Sequence, residues 1–155
     1  MSDLEGYESR REALRAKYLG DDSAPAPVST AGVDHLALIC SDIDATVRFY
    51  TEVVNMRLVK IVTNRDEPTS THIFLDMGGG NLLAFFDFPE QDTGPAVRGI
   101  GAMHHVALKA APDQYQAIVK TLQARGLPHS IHGTNEAGSV YFRDPDDILL
   151  EIKSQ

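Results

Sequence analysis

A short pattern that occurs twice constrains this chain more than any other feature. The segment Met103–Leu108 loosely repeats Val33–Leu38, about seventy residues earlier. In both copies a His opens a short apolar run, and a pattern typical of an amphipathic helix follows. The repeat therefore predicts an internal duplication.

Each copy is predicted to contain one strand, one helix and then three more strands. In the first module, 33–88, we expect strands at 34–40, 57–63, 71–77 and 81–88, with a helix from Ser41 or Asp42 to about Val54. In the second, 102–155, we expect strands at 103–109, 128–132, 139–143 and 148–153, with a helix from Pro112 to Arg125. The sequence thus indicates an α+β domain, 33–155, built from two tandem βαβββ modules.

An N-terminal arm, 1–32, precedes this domain. Residues 3–19 have a thin apolar stripe among many charges, which predicts a helix. Residues 20–32 are rich in small residues and contain Pro25 and Pro27, which is typical of a linker. We expect the arm to pack on the domain or on a partner subunit.

Charge and cysteine content narrow the classes of function. A formal net charge of −8, with no Lys/Arg-rich run, argues against a surface for nucleic acid or anionic membranes. The single cysteine, Cys40, excludes an intramolecular disulfide and favours a reducing compartment. No apolar run approaches the ~20 residues that span a bilayer, and no signal peptide is recognisable. These features predict a cytoplasmic protein.

Superposing the two copies matches His35 with His105, and Ala84 with Glu151. If the modules pair about a pseudo-twofold axis, His35, His105 and Glu151 can face one cleft. Two neutral imidazoles and one carboxylate form a facial triad that leaves about half of an octahedral metal's positions open. The sequence therefore predicts a catalytic rather than a structural metal site.

A structural interpretation competes with this prediction. A lone His at a strand start is ordinarily a core or edge residue, and a lone Glu in a last strand often faces solvent. That interpretation does not explain why the three residues fall at repeat-related positions. His104 is ambiguous, and the repeat selects His105. His72 and His129 have no repeat partner and are interpreted as structural or surface residues.

Several segments together resemble the vicinal oxygen chelate superfamily, which includes glyoxalase I, bleomycin-binding proteins, fosfomycin-resistance transferases and extradiol dioxygenases. The resemblance covers Val33 to Ile152 and is strongest at Asp34–Leu38, Phe49-Tyr50, His105–Leu108 and Ser139–Glu151. It implies a curved, incompletely closed, barrel-like sheet of eight strands around a divalent metal. It does not specify the reaction, because one fold supports many chemistries.

The ligand pattern favours some relatives over others. Glyoxalase I uses four protein ligands, and the second would fall at or beside Ala84, where no side chain can bind a metal. Three ligands match the extradiol dioxygenases and the fosfomycin-resistance transferases. The segment from His132 to Tyr141 resembles the dioxygenase stretch that carries an active-site His and Tyr. This resemblance implies that His132 forms a hydrogen bond or transfers a proton in the site, and that Tyr141 donates its O–H to a substrate oxygen. From position alone, His132 is more typical of an exposed residue at a strand end, and Tyr141 could as well be a core aromatic residue.

We therefore expect a metal-dependent, extradiol-dioxygenase-like enzyme for a small catechol-like or vicinal-oxygen substrate. Fe(II) or Mn(II) is favoured, Zn(II), Ni(II) or Co(II) is possible, and a homodimer is expected. Two features depart from the dioxygenases: no His lies between His72 and His104, and those enzymes are commonly twice as long. The alternatives are a lyase or isomerase, a thiol transferase, and a non-catalytic bleomycin-type binding protein, which would not need the three ligands.

Aromatic and apolar residues near these strands suggest an apolar lining for the site, about half of them being expected to face the other side of their strands. They are Phe74, Phe86, Phe88, Met103, Tyr141 and Phe142.

Overall fold

The structure of the chain is a computed structural model that describes residues 4–19, 28–91 and 94–155. The chain divides into two compact units, Met1–Gly32 and Val33–Gln155.

The first unit contains helix α1, Leu4–Tyr18. Glu8 pairs with Arg11 at 2.6 Å and with Arg15 at 3.0 Å, so charged side chains about one and two turns apart support the helix from its own surface. The predicted N-terminal helix is confirmed. Most of the predicted linker, residues 20–27, lies outside the described residues, and the packing of the arm stays a prediction.

The second unit confirms the α+β fold and the two βαβββ modules. In chain order its elements are β1 (His35–Ile39), α2 (Ile43–Glu52), β2 (Arg57–Thr63), β3 (Thr71–Asp76), β4 (Leu82–Phe86), β5 (Val106–Ala110), α3 (Pro112–Ala124), β6 (His129–Gly133), β7 (Gly138–Arg143) and β8 (Leu149–Ser154). The strands form two four-stranded sheets, ordered β1-β4-β3-β2 and β5-β8-β7-β6, and they do not close into a barrel. In each sheet the first and last strands of the module run parallel and the other pairs antiparallel.

Local chemistry explains where the two helices of this unit begin and how the turn before β4 is made. The Asp42 side chain accepts hydrogen bonds from the backbone N–H groups of Asp44 and Ala45 at the start of α2. Pro112 occupies the first turn of α3, where its missing N–H costs no hydrogen bond. The turn before β4 is made by Gly78–Gly80, all three with positive φ, a conformation that glycine adopts without a steric penalty.

The second module's first strand begins later than the sequence suggested, at Val106 instead of Met103. Its partner β8 begins at Leu149, and the pairing starts with Val106 opposite Leu150. The preceding residues therefore have no strand partner, and His105 lies just before the strand, whereas His35 is the first residue of β1.

The core lies on one face of each sheet, beneath the helices. Its strand residues are Ile73, Leu75, Leu83 and Phe85 in the first module and Val140, Phe142, Leu150 and Ile152 in the second. The modules are joined by Tyr50, whose hydroxyl donates to Asp144 Oδ2 at 3.0 Å, and by Ser41, which donates to the Asp146 carboxylate. Among the described residues, no helix combines the length and apolar character that crossing a membrane requires.

Candidate metal and substrate site

Strand register assigns the predicted ligands to the face of each sheet that lies opposite the core, called here the site face. In β1 and β4, Ala37 is paired with Ala84; in β5 and β8, Ala107 is paired with Glu151. Paired residues share a face and alternate residues return to it. The equivalence of Ala84 and Glu151 that the repeat predicted is therefore present in the strand pairing.

Glu151 is a buried carboxylate with several partners. Only 8% of the residue is exposed, and its Oε2 lies 3.1 Å from His105 Nε2. A hydrogen bond from Ser139, followed by one from Tyr141 and by the proximity of His105, lowers the pKa of the Glu151 carboxyl against the opposing effect of burial. The side chain is thus held ionised, which is the form that binds a cation.

Tyr141 adjoins this carboxylate, and His132 adjoins Tyr141. Tyr141 is paired with Glu151 between β7 and β8, and its ring meets the His132 ring edge-on, with centroids 5.3 Å apart. The hydrogen bond to Glu151, together with desolvation, raises the pKa of Tyr141, so the phenol keeps its proton. The structure therefore brings His105, Glu151, Tyr141 and His132 together, and we call these four residues the second-module half-site.

His35 belongs to the other sheet. Its Nδ1 lies 2.6 Å from Asp34 Oδ1, its ring meets Phe74 edge-on at 5.8 Å, and 42% of its side chain is exposed. Within one copy of the described chain, no three His, Cys, Asp or Glu side chains are grouped closely enough to hold a metal ion. His105 and Glu151 are adjacent in a single chain, and His35 does not complete the set there.

His72 was interpreted from the sequence as a structural or surface residue, and the sequence analysis did not assign it to the site face. It lies two residues before Phe74 on the site face, and its ring stacks on Phe86 with centroids 3.6 Å apart. Its Nε2 is buried without a hydrogen-bond partner, and burial, followed by the charges of His35 and Lys60, lowers the pKa of its imidazole. Strand alternation from Phe74 could have revealed this placement. We call His35, His72 and Phe74 the first-module half-site.

The suggested apolar lining is divided between the two faces. Phe74 and Phe86 lie on the site face beside His72. Phe142 belongs instead to the core, where it is 3% exposed and packs against Phe49.

The donor atoms of the second-module half-site fit a divalent ion. Two ligand atoms that bind one cation at right angles, each at about 2.1 Å, stand about 3 Å apart, which agrees with the 3.1 Å between His105 Nε2 and Glu151 Oε2. Imidazole and carboxylate donors suit iron, manganese, cobalt, nickel and zinc. Cys40 is buried, and its Sγ contacts the Phe86 carbonyl oxygen, so no thiolate belongs to this set.

Comparison with known proteins gives one matching family and several relatives. The family model described as "Glyoxalase/Bleomycin resistance protein/Dioxygenase superfamily" matches residues 32–152. "Putative ring-cleaving dioxygenase MhqE" of Bacillus subtilis (strain 168) is 27% identical over 128 residues, which cover 81% of this chain and 42% of that protein. The chain thus spans less than half the length of that relative.

Solved structures share the fold. A glyoxylase/bleomycin resistance protein/dioxygenase domain from Frankia sp. EAN1pec has a TM-score of 0.68 at 20% identity, covering 81% of this chain and 93% of that one. The fosfomycin resistance protein FosX from Listeria monocytogenes, complexed with Mn(II) and sulfate, has a TM-score of 0.59 at 19% identity, covering 81% and 93%.

Proposed function

The chain belongs to the glyoxalase/bleomycin resistance protein/dioxygenase superfamily, and from this premise we propose that it is a divalent-metal-dependent enzyme with extradiol-dioxygenase-like chemistry. The substrate would be a small catechol-like or other vicinal-oxygen compound. The observation that carries the proposal is the buried Glu151 carboxylate, ionised by its hydrogen bonds and 3.1 Å from His105 Nε2. A protein that only sequestered a ligand would not need this pair.

His105, Glu151 and His35 would hold the ion, with Fe(II) or Mn(II) favoured. Superfamily members bind divalent metals, as FosX does with Mn(II). Such an ion, when bound, stabilises negative charge that develops on two adjacent substrate oxygens. The protein's part is to supply two imidazoles and one carboxylate while leaving room for both oxygens.

Tyr141 and His132 would act on the substrate itself. The protonated Tyr141 hydroxyl can donate a hydrogen bond to a substrate oxygen that gains charge. His132, whose ring is 5.3 Å from the Tyr141 ring, would accept or return the proton that the substrate exchanges. In the first module, the half-buried Phe86, which stacks on His72, offers an apolar surface suited to an aromatic ring.

We place His35 of one copy beside His105 and Glu151 of a second copy, in a homodimer. The support is that a single described chain does not gather three ligands, while His35 keeps 42% of its side chain exposed. Mixing His35→Ala with Glu151→Ala tests this arrangement, because a heterodimer then contains one intact site and one site lacking both residues. Recovery of metal binding on mixing is expected; no recovery would contradict a shared site.

The reaction is tested by metal analysis of protein purified without chelator, then by anaerobic Fe(II) loading and oxygen uptake with a panel of catechols. We expect oxygen uptake that His105→Ala and Glu151→Ala abolish. His129→Ala, which alters an imidazole paired with the core residue Phe142 and not on the site face, should leave it unchanged. Metal binding without oxygen uptake would indicate lyase, isomerase or thiol-transfer chemistry. No bound metal, with small-molecule binding unchanged in both ligand variants, would indicate a sequestering protein.

A further inference from the structure

The residue before each proposed histidine ligand contacts the Nδ1 atom of that histidine. Asp34 Oδ1 lies 2.6 Å from His35 Nδ1, and His104 Nδ1 lies 2.7 Å from His105 Nδ1. The contacts occur at repeat-related positions, although one partner is a carboxylate and the other an imidazole. In both modules the preceding residue engages Nδ1, so a metal would bind at Nε2, which in His105 lies 3.1 Å from Glu151 Oε2.

A neutral imidazole carries one proton, and only the nitrogen without that proton can bind a metal. A neighbour that accepts a hydrogen bond from Nδ1–H therefore keeps the proton on Nδ1 and leaves the lone pair on Nε2. Metal-binding histidines ordinarily donate their second ring N–H to such a partner, and loss of the partner weakens metal binding by roughly 10- to 100-fold.

We propose that Asp34 and His104 are positioning residues that determine which ring nitrogen of His35 and of His105 binds the metal. This inference rests on the proposed metal-dependent function. It adds two residues that the ligand pattern itself does not contain.

The two proposed histidine ligands differ in how they reach the tautomer that binds a metal, in which the proton is on Nδ1. The Asp34 carboxylate can only accept, so His35 already carries its proton on Nδ1. His105 lies with Nε2 3.1 Å from Glu151 Oε2, a carboxylate that also only accepts. A neutral His105 would therefore carry its proton on Nε2 in the metal-free protein, and His104 would then donate to its Nδ1 across the 2.7 Å contact.

For His105 to bind through Nε2, three proton movements are needed. The Nε2 proton of His105 leaves to solvent, the proton between the rings passes from His104 Nδ1 to His105 Nδ1, and His104 takes a proton from solvent on Nε2. Both rings stay neutral, the total number of protons is unchanged, and nothing is oxidised or reduced. His35 is preset, whereas the His104–His105 pair must reverse its hydrogen bond.

Zn(II) affinity of the intact protein tests the roles of both residues. We expect Asp34→Ala and His104→Ala each to bind Zn(II) roughly 10- to 100-fold more weakly. Asp34→Asn and His104→Asn should recover most of the affinity, because the amide oxygen accepts from Nδ1–H. The Asp34 side chain is 93% exposed and His104 is exposed, so neither substitution threatens folding. His129→Ala is the matched control and should bind as the wild type does.

Nitrogen NMR of the imidazole rings supplies a readout that a merely structural role would not change. Without metal we expect the proton on Nδ1 in His35 and on Nε2 in His105. With Zn(II), the proton of His105 should appear on Nδ1 and that of His104 on Nε2. Zn(II)-bound protein in which His105 keeps its Nε2 proton would overturn the inference, as would wild-type affinity in both alanine variants.

The Glu151→Ala variant distinguishes failure of this inference from failure of the proposed function. If Glu151→Ala loses Zn(II) while Asp34→Ala and His104→Ala keep it, only the positioning role is wrong. If Glu151→Ala binds Zn(II) as tightly as the wild type, the metal site itself is wrong and the inference falls with it.

Discussion

Ala84 and Glu151 occupy the same place in two sheets of the same strand order, yet one is a methyl group and the other a carboxylate. On the site face their strand neighbours are Ala37 and Phe74 in the first module and Ala107 and Tyr141 in the second. The backbone pairing is alike, and the surroundings have opposite polarity.

The residues around Glu151 can hydrogen-bond to its carboxylate, whereas those around Ala84 are mainly aromatic. Ser139, Tyr141 and His105 hydrogen-bond to Glu151, so its charge has partners. Beside Ala84, which is fully buried, His72 packs among phenylalanine rings with Nε2 unpaired. The comparison teaches that a duplicated backbone supplies two equivalent faces, and that the polar partners around one position decide which face can carry a charge.

Placing a carboxylate at the first-module position tests this conclusion most severely. We expect Ala84→Glu to lower the free energy of unfolding by about 3 kcal/mol, because a fully buried position opposite Phe74 must take in a larger side chain and remove its charge from water. Ala37→Glu, on the same face but exposed, is the matched control and should change stability little. Urea unfolding measures both, and equal stability of the two variants would contradict the difference in polarity.

The two buried tyrosines of the helices differ in their partners. Tyr50 donates across the module boundary to the Asp144 carboxylate, whereas Tyr115 donates to the Thr134 carbonyl within its own module. Tyr50→Phe should cost about 2 kcal/mol and Tyr115→Phe about 1 kcal/mol, since hydrogen bonds to charged groups are worth more. Thermal and urea unfolding of both variants measure the two losses of stability. A larger loss in Tyr115→Phe than in Tyr50→Phe would contradict the stronger hydrogen bond of Tyr50.

Substitutions at His72 and Ser139, which occupy equivalent positions in the two sheets, should change the free energy of unfolding in opposite directions. His72→Phe removes an unpaired buried nitrogen from an aromatic cluster and should raise the free energy of unfolding by roughly 1 kcal/mol. Ser139→Ala, two residues before Tyr141, removes a donor to Glu151 and should lower it by a similar amount. Chemical unfolding of metal-free protein checks the pair; destabilisation by His72→Phe would mean that Nε2 has a partner.

A smaller change in the free energy of unfolding is expected when pH alters the charge of Asp144. Burial, reinforced by the charge of Asp146, raises the pKa of Asp144 above its ordinary 3.8 despite three hydrogen bonds. The folded protein holds this proton more tightly than the unfolded chain, so the stabilisation is complete below the unfolded pKa and is lost as pH rises through the folded one. Relative to Asp144→Asn, the wild type should therefore lose stability as pH rises from below 3.8 through the raised pKa of the folded protein. If the free energies of unfolding of the wild type and Asp144→Asn changed in parallel with pH, the raised pKa of Asp144 would be contradicted.

The repeat allowed much of the fold and part of the site to be predicted. The match of His35 with His105 and of Ala84 with Glu151 depends only on spacing, and strand pairing reproduces it because alternate residues of a strand share a face. Strand ends were less accurate, as at Val106, because an end depends on where the partner strand begins. His72 was not assigned to the site face from the sequence because it has no His counterpart in the second module: the residue in the equivalent place is Ser139.

By itself, the sequence determined the duplication, the two βαβββ modules and the equivalent positions, since these follow from local periodicity and spacing. Tertiary structure alone decided that His105 and Glu151 meet while His35 lies on another sheet, and that Asp34 and His104 engage the Nδ1 atoms. The physical reason is that a metal site and a tautomer depend on distances of about 3 Å between side chains, which spacing along a strand does not specify.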